Sequence, residues 1–152
     1  MKAFVILLLS CVSLFAGETF VPLKSGETNG VSYGLSYLVS DSWSATDSPP
    51  SEDFSDLFLT LRNDGAKLMS FGDITVEDFS LRDATGNKMT FYLRTSPQDV
   101  KGIGNGEVTV IHLMVQWSSK APQPWTFHFK SRPGEGYQPL DLTITGIKLR
   151  KR

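Results

Sequence analysis

The chain has 152 residues, a net charge of −1 and a single cysteine. That length suits one domain, and the near-neutral charge gives no basic field of the kind nucleic acid requires. One cysteine excludes a disulfide within the chain, and two histidines in the whole sequence leave little material for general-base or metal chemistry.

Met1-Lys2 is a short basic start. Ala3 to Leu9 is a continuous apolar run, Val12 to Ala16 extends it after Ser10-Cys11, and polarity begins at Gly17-Glu18-Thr19. This is the form of a secretory signal peptide, and the run is too short and too N-terminal for a stable membrane span. The sequence predicts a signal peptide over 1–16, cut after Ala16 (with Ser13 and Gly17 as alternatives), and one domain over 17–152 that is exported to the periplasm or secreted. Leu8-Leu9-Ser10-Cys11 faintly resembles a bacterial lipoprotein cleavage box, which would put a lipid anchor on Cys11. Leu9 and the shortness of the apolar run weigh against it, and in the preferred reading Cys11 leaves with the signal.

Removal of Lys2, the only charge in that segment, takes the net charge from −1 to −2. Roughly 136 residues remain (152 less 16), enough to bury about two-thirds of the unfolded surface without covalent staples. A disulfide-free exported domain with no Asn-x-Ser/Thr sequon points to a bacterial origin. The basic end, Lys148-Leu149-Arg150-Lys151-Arg152, reads as a solvated tail or strand end.

Thr19-Phe20-Val21-Pro22-Leu23 is extended, and Pro22 confines it to an edge. Asn29-Gly30 signals a turn. Val31, Tyr33, Leu35, Tyr37 and Val39 then alternate with Ser32, Gly34, Ser36, Leu38 and Ser40, which predicts a strand. Ser40 to Ser55, with Trp43, Pro49-Pro50 and scattered acids, is the longest predicted loop. Its carboxylates lack the alternate spacing and glycine bend of a calcium loop.

Asp56 to Gly65 is the stretch around which the chain is organised. Leu57, Leu59 and Leu61 share one face, Phe58, Thr60 and Arg62 the other, and Asn63-Asp64-Gly65 suits a tight turn at positive φ. Lys67 to Phe71 reads as a short connection or strand, with Ile74-Thr75-Val76 continuing it. Asp78 to Arg82 is a strand with Phe79 and Leu81 inward, Asp83 to Lys88 a hairpin turn, and Met89 to Leu93 the return strand.

Ser96 to Gly106 is a second long loop. Its glycines do not make a phosphate loop, because a β-branched strand follows where a helix is needed. Val108 to Trp117, apolar on both faces, predicts a central strand. Pro122 and Pro124 mark a turn, Trp125, Phe127 and Phe129 share one face of the next strand, and Arg132 to Gln138 is a loop. Leu140 to Thr145 alternates, and Gly146 shifts the phase before Ile147 and Leu149 resume it, which suggests a bulge. About seven or eight short strands without a long amphipathic helix predict a single antiparallel, immunoglobulin-like β-sandwich.

The strand Leu57–Arg62 with Asn63-Asp64-Gly65, then Phe79-Ser80-Leu81-Arg82-Asp83 with Gly86-Asn87-Lys88, then Gly106-Glu107-Val108, then Trp125-Thr126-Phe127 carry a resemblance. From Val31 to the end the chain resembles the immunoglobulin-like domains of unknown function in bacterial exported proteins and lipoproteins, which are similar to a small secreted mycobacterial antigen of immunoglobulin-like fold. The resemblance implies a fold and an export route and brings no catalytic residues with it.

No Gly-x-Ser-x-Gly elbow is present and nothing singles out a pair of carboxylates, so the chain reads as non-catalytic and without a cofactor. The expected role is an interaction or structural module whose partner is a protein or an envelope component. Two alternatives stay open. His112 and Met114 lie two apart on one strand, and with His128 on a nearby strand they are candidate ligands for copper, the thioether favouring Cu(I). Against that reading stands simple packing of Met114, with His112 at a sheet surface. Trp43 is the candidate for stacking on a carbohydrate; Trp117, Trp125, Tyr92 and Tyr137 are the other aromatics weighed, strand aromatics being more often core.

Overall fold

The structure, a computed structural model, describes residues 18–40, 53–65, 69, 74–95, 103–117, 121–132 and 139–149. The signal segment with Cys11, the loop that holds Trp43, Tyr137 and the last three basic residues lie outside them.

Among the described residues eight antiparallel strands form the fold: β1 (Glu18–Thr28), β2 (Val31–Ser40), β3 (Asp53–Asn63), β4 (Phe79–Arg82), β5 (Thr90–Leu93), β6 (Val108–Trp117), β7 (Trp125–Lys130) and β8 (Asp141–Ile147). They make a five-stranded sheet ordered β1-β2-β3-β6-β5 and a three-stranded sheet ordered β4-β7-β8. Lettering β2 to β8 as A to G gives A-B-E-D and C-F-G, the strand order of a constant-type immunoglobulin sandwich, with β1 added outside β2.

The period-2 pattern explains which faces meet. Leu57, Leu59 and Leu61 of β3, Ile111, Leu113 and Val115 of β6, and Leu35 of β2 are buried from one sheet; Phe79, Leu81, Trp125, Phe127, Phe129, Leu142 and Ile144 are buried from the other. All belong to one apolar cluster. Immunoglobulin domains tie strands B and F with a disulfide at this level. Here the core is filled by aromatic residues: Phe79 stacks on Phe129 at 4.7 Å and meets Phe127 at 6.1 Å and, across the sandwich, Phe91 at 6.5 Å. With aromatic rings burying on the order of 150–250 Å² each, such a core needs no covalent clamp.

Asn29 and Gly30 close the β1–β2 hairpin as a two-residue loop between the paired Thr28 and Val31, with φ of 50° and 77°. Positive φ at both positions is the type I′ turn that matches strand twist. Gly30→Ala is expected to cost about 1–2 kcal/mol in urea unfolding, because a Cβ disfavours that backbone region. An unchanged midpoint would mean the turn can relax to another type.

β1 is an edge strand as Pro22 required, and its register slips between Pro22 and Lys24. At the end of β8 the register also slips, Gly146 sits at φ 70°, and the Lys24 side chain lies against it. The bulges interrupt the two long edges, and β4 and β5 are only four residues each, so among the described residues no edge offers a long flat row of backbone groups.

Three expectations need correction. Asn63-Asp64-Gly65 is not a tight turn at positive φ, since the described positive-φ residues are Asn29, Gly30, Gly86, Gly106 and Gly146. Instead the buried Asn63 side chain folds the exit of β3: its Oδ1 accepts from Gly65 N–H at 2.9 Å and its Nδ2 donates to the Ile103 carbonyl at 2.9 Å. Val76 does not continue a strand; Val76–Asp78 is a 3-10 turn, with Thr75 N–H donating to the Asp78 carboxylate at 2.7 Å.

Asp83 to Lys88 does reverse the chain, but not into a hairpin. The Asp83 carboxylate accepts from the Thr85 N–H and hydroxyl and from the Asn87 N–H and side-chain amide at 2.7–3.2 Å, while Gly86 takes φ 87°. Only an Arg82–Lys88 bridge and a Met89 N–H to Leu81 carbonyl bond follow. β5 then crosses to pair with β6 in the other sheet.

Candidate functional site

The two outer faces of the sandwich differ. Along the three-stranded sheet the residues that alternate with the core are Ser80 and Arg82, Thr126, His128 and Lys130, and Asp141, Thr143 and Thr145, all polar. The five-stranded sheet turns Phe20, Leu38, Phe58, Tyr92, Val108, Val110 and Met114 outward, among the polar Ser32, Ser36, Asp56, Thr60, Arg62, His112 and Gln116. Phe20, Tyr92, Val108 and Val110 are 44–53% exposed. A Cβ added at Gly34, between them, would meet nothing within 4 Å. An antiparallel sheet facing water ordinarily carries polar residues on that side, so the apolar residues of this face are the feature that sets it apart from the other.

Register fixes the arrangement. Phe20 pairs with Leu38, Asp56 with Met114, and Met114 with Tyr92. Tyr37 pairs with Leu57, which sets Leu38 beside Asp56. One row across all five strands therefore reads Phe20, Leu38, Asp56, Met114, Tyr92. In the next row Phe58 pairs with His112. The rings of Phe58 and His112 stack at 4.4 Å and 16°, and Phe20 meets Phe58 edge-on at 5.0 Å. His112 Nε2 lies 2.7 Å from an Asp56 carboxylate oxygen. The Arg94 guanidinium donates to the Met114 sulfur at 3.1 Å.

His112 and Met114 share a face, as the sequence predicted, and Asp56 joins them there. His128 stands elsewhere. It points outward from β7 on the three-stranded sheet, 2.9 Å from the Asp141 carboxylate, with the core between it and His112. Among the described residues no three His, Cys, Asp or Glu side chains converge. Trp125 is fully buried, and Trp43 lies outside the described residues. Tyr92, also weighed for carbohydrate, is exposed. A second feature, a groove of about 300 Å³ where β4 and β5 part, is lined by Val76, Phe79, Leu81, Met89 and Phe91 together with Glu77, Ser80 and Lys88.

Three carboxylates are held below their usual range. The Ser32 hydroxyl, and then Arg62, do this for Asp64; the Thr75 hydroxyl leads for Glu77; the Thr85 hydroxyl and the Asn87 donors do it for Asp83. Their folded pKa values are lower than their unfolded ones, so the stability they contribute is complete above the ordinary carboxylate range and is lost as pH falls below it, through the lowered folded values. Urea midpoints taken from about pH 6 to about pH 3 are expected to decline, with a shallower decline in Asp83→Asn. A flat wild-type profile would contradict the bonding described.

The chain matches no protein-family model and no curated protein. Among the described residues no helix is long and apolar enough to cross a membrane.

Proposed function

We propose that the protein is a non-catalytic, exported, immunoglobulin-like interaction module that binds through the outer face of its five-stranded sheet. The contrast between the two outer faces carries this reading: one is polar throughout, the other presents an apolar row with aromatics at both ends. Asp56, the polar residue inside that row, is already bonded to His112 of the next row, which suits a binding platform. The constant-type strand order supports the immunoglobulin-like part, and the N-terminal apolar segment supports export to the periplasm or beyond.

A photo-crosslinking residue at Val110, on the apolar face, is expected to give adducts in the producing cell. The same residue at Thr143, on the polar face, is expected to give none. Adducts at Thr143 alone, or equally at both, would overturn the reading.

A second reading is favoured by one observation, the adjacency of Asp56 to both His112 and Met114. Imidazole, carboxylate and thioether together suit copper, with the sulfur favouring Cu(I). Binding would require Arg94 to leave the Met114 sulfur. Competition against a Cu(I) chelator is then expected to show binding that His112→Ala abolishes and His128→Ala leaves intact. Equal affinity in wild type and His112→Ala would exclude it.

A further inference from the structure

We infer that the occupant of the apolar face is a second copy of this chain, in an isologous dimer whose two-fold axis runs along β3. This rests on the reading of that face as the binding surface and adds the identity of the partner.

The row Phe20, Leu38, Asp56, Met114, Tyr92 reads aromatic, aliphatic, acid, aliphatic, aromatic, and β3 lies at its middle. A two-fold interface requires a patch complementary to itself, so that residue i meets j and j meets i. An axis along β3 brings Phe20 of one copy against Tyr92 of the other, and Leu38 against Met114, each contact occurring twice. In the next row Phe58 meets its own counterpart. Such a sequence of residue types does not arise from the period-2 rule, which governs residues along a strand and not the order across strands.

Size and charge agree. Four strands at about 4.8 Å over the span from Val108 to Met114 at about 3.4 Å per residue, with β5 beside only Leu113 to Gln116, cover roughly 400–450 Å² of face per copy. Two copies then bury roughly 800–900 Å², the size of a weak, transient interface and consistent with a dimer of micromolar strength. Of the charged groups on the face, Arg62 pairs with Asp64, Asp56 is bonded to the His112 ring, and the Arg94 guanidinium lies against the Met114 sulfur. Two copies therefore approach with less like-charge opposition than bare charges would impose. The Asp56 carboxylates that meet near the axis each keep their own His112.

Sedimentation velocity of the purified protein at about 100 µM is expected to show a dimer, a concentration well above a micromolar dissociation constant. Tyr92→Glu and Phe20→Lys alter exposed side chains and are expected to leave the circular dichroism unchanged while each sediments as a monomer. Mixing the two in equal amounts is expected to restore a dimer, because one of the two contacts becomes Glu against Lys and the other stays Phe20 against Tyr92. Thr143→Glu, on the polar face, is expected to remain dimeric. A monomeric wild type, a dimer that survives both single variants, or a mixture that stays monomeric would each overturn the inference. If the wild type is a monomer and the Val110 crosslink nevertheless captures a different protein, the binding face stands and only the self-association falls.

Discussion

Trp125→Ala is expected to destabilise the protein by about 3–5 kcal/mol, the cost of emptying a large aromatic site in a core that relaxes only in part. Trp125 is fully buried on the middle strand of the three-stranded sheet, paired with Ile147 of β8. Total stability of a domain is about 5–15 kcal/mol, so this one change removes a large share of it. Trp125→Phe keeps much of the apolar volume and should lose less. Urea unfolding at neutral pH measures both. A loss under about 1 kcal/mol in Trp125→Ala would mean that the ring lies at a surface, since exposed substitutions typically stay within such limits.

Asn63→Asp is expected to cost about 3 kcal/mol or more, although the two side chains have nearly the same shape. Asn63 is buried, its amide donates to the Ile103 carbonyl, and its backbone N–H and carbonyl are bonded to Glu107 and Gly106. A carboxylate has no donor for the Ile103 oxygen and brings a buried negative charge to face it. The deficit should shrink as the pH falls, because a protonated carboxyl regains one donor. The measurement is the difference in unfolding free energy between variant and wild type at neutral and at acid pH. A variant equal to wild type at neutral pH would show that the Asn63–Ile103 bond is replaceable by water. The consequence reaches further than one bond, since Ile103 also bridges Met69 and so ties the exit of β3 to the approach to β6.

Much of the fold was legible in the sequence because its signals are local. The alternation in Leu57–Leu61, in Val31–Tyr37 and in Trp125–Phe129 fixed which side chains are buried, and Pro22 and Asn29-Gly30 marked an edge and a turn. What stayed hidden depends on pairing between distant strands. The Asp83–Lys88 turn looks the same whether the next strand returns beside β4 or crosses to β6, since both sheets use the same period. The fold of Asn63 needed the Ile103 carbonyl, forty residues away.

The candidate site divides in the same way. His112 and Met114 on one face followed from spacing alone. Asp56 joined them only through the β3–β6 register, and His128 left them because β7 belongs to the other sheet. One signal for the apolar face was present in the sequence: Val108 to Trp117 is apolar on both sides, and Phe58 sits opposite the buried leucines.

Hydroxyl-radical footprinting tests that face most directly, since Tyr92, Met114 and Phe20 report on it and His128 reports on the polar face. The account predicts ready labelling of all four in dilute isolated protein, and protection of Tyr92, Met114 and Phe20 but not His128 in intact cells. Equal labelling of Tyr92 and Met114 in both settings, or protection confined to His128, would contradict it.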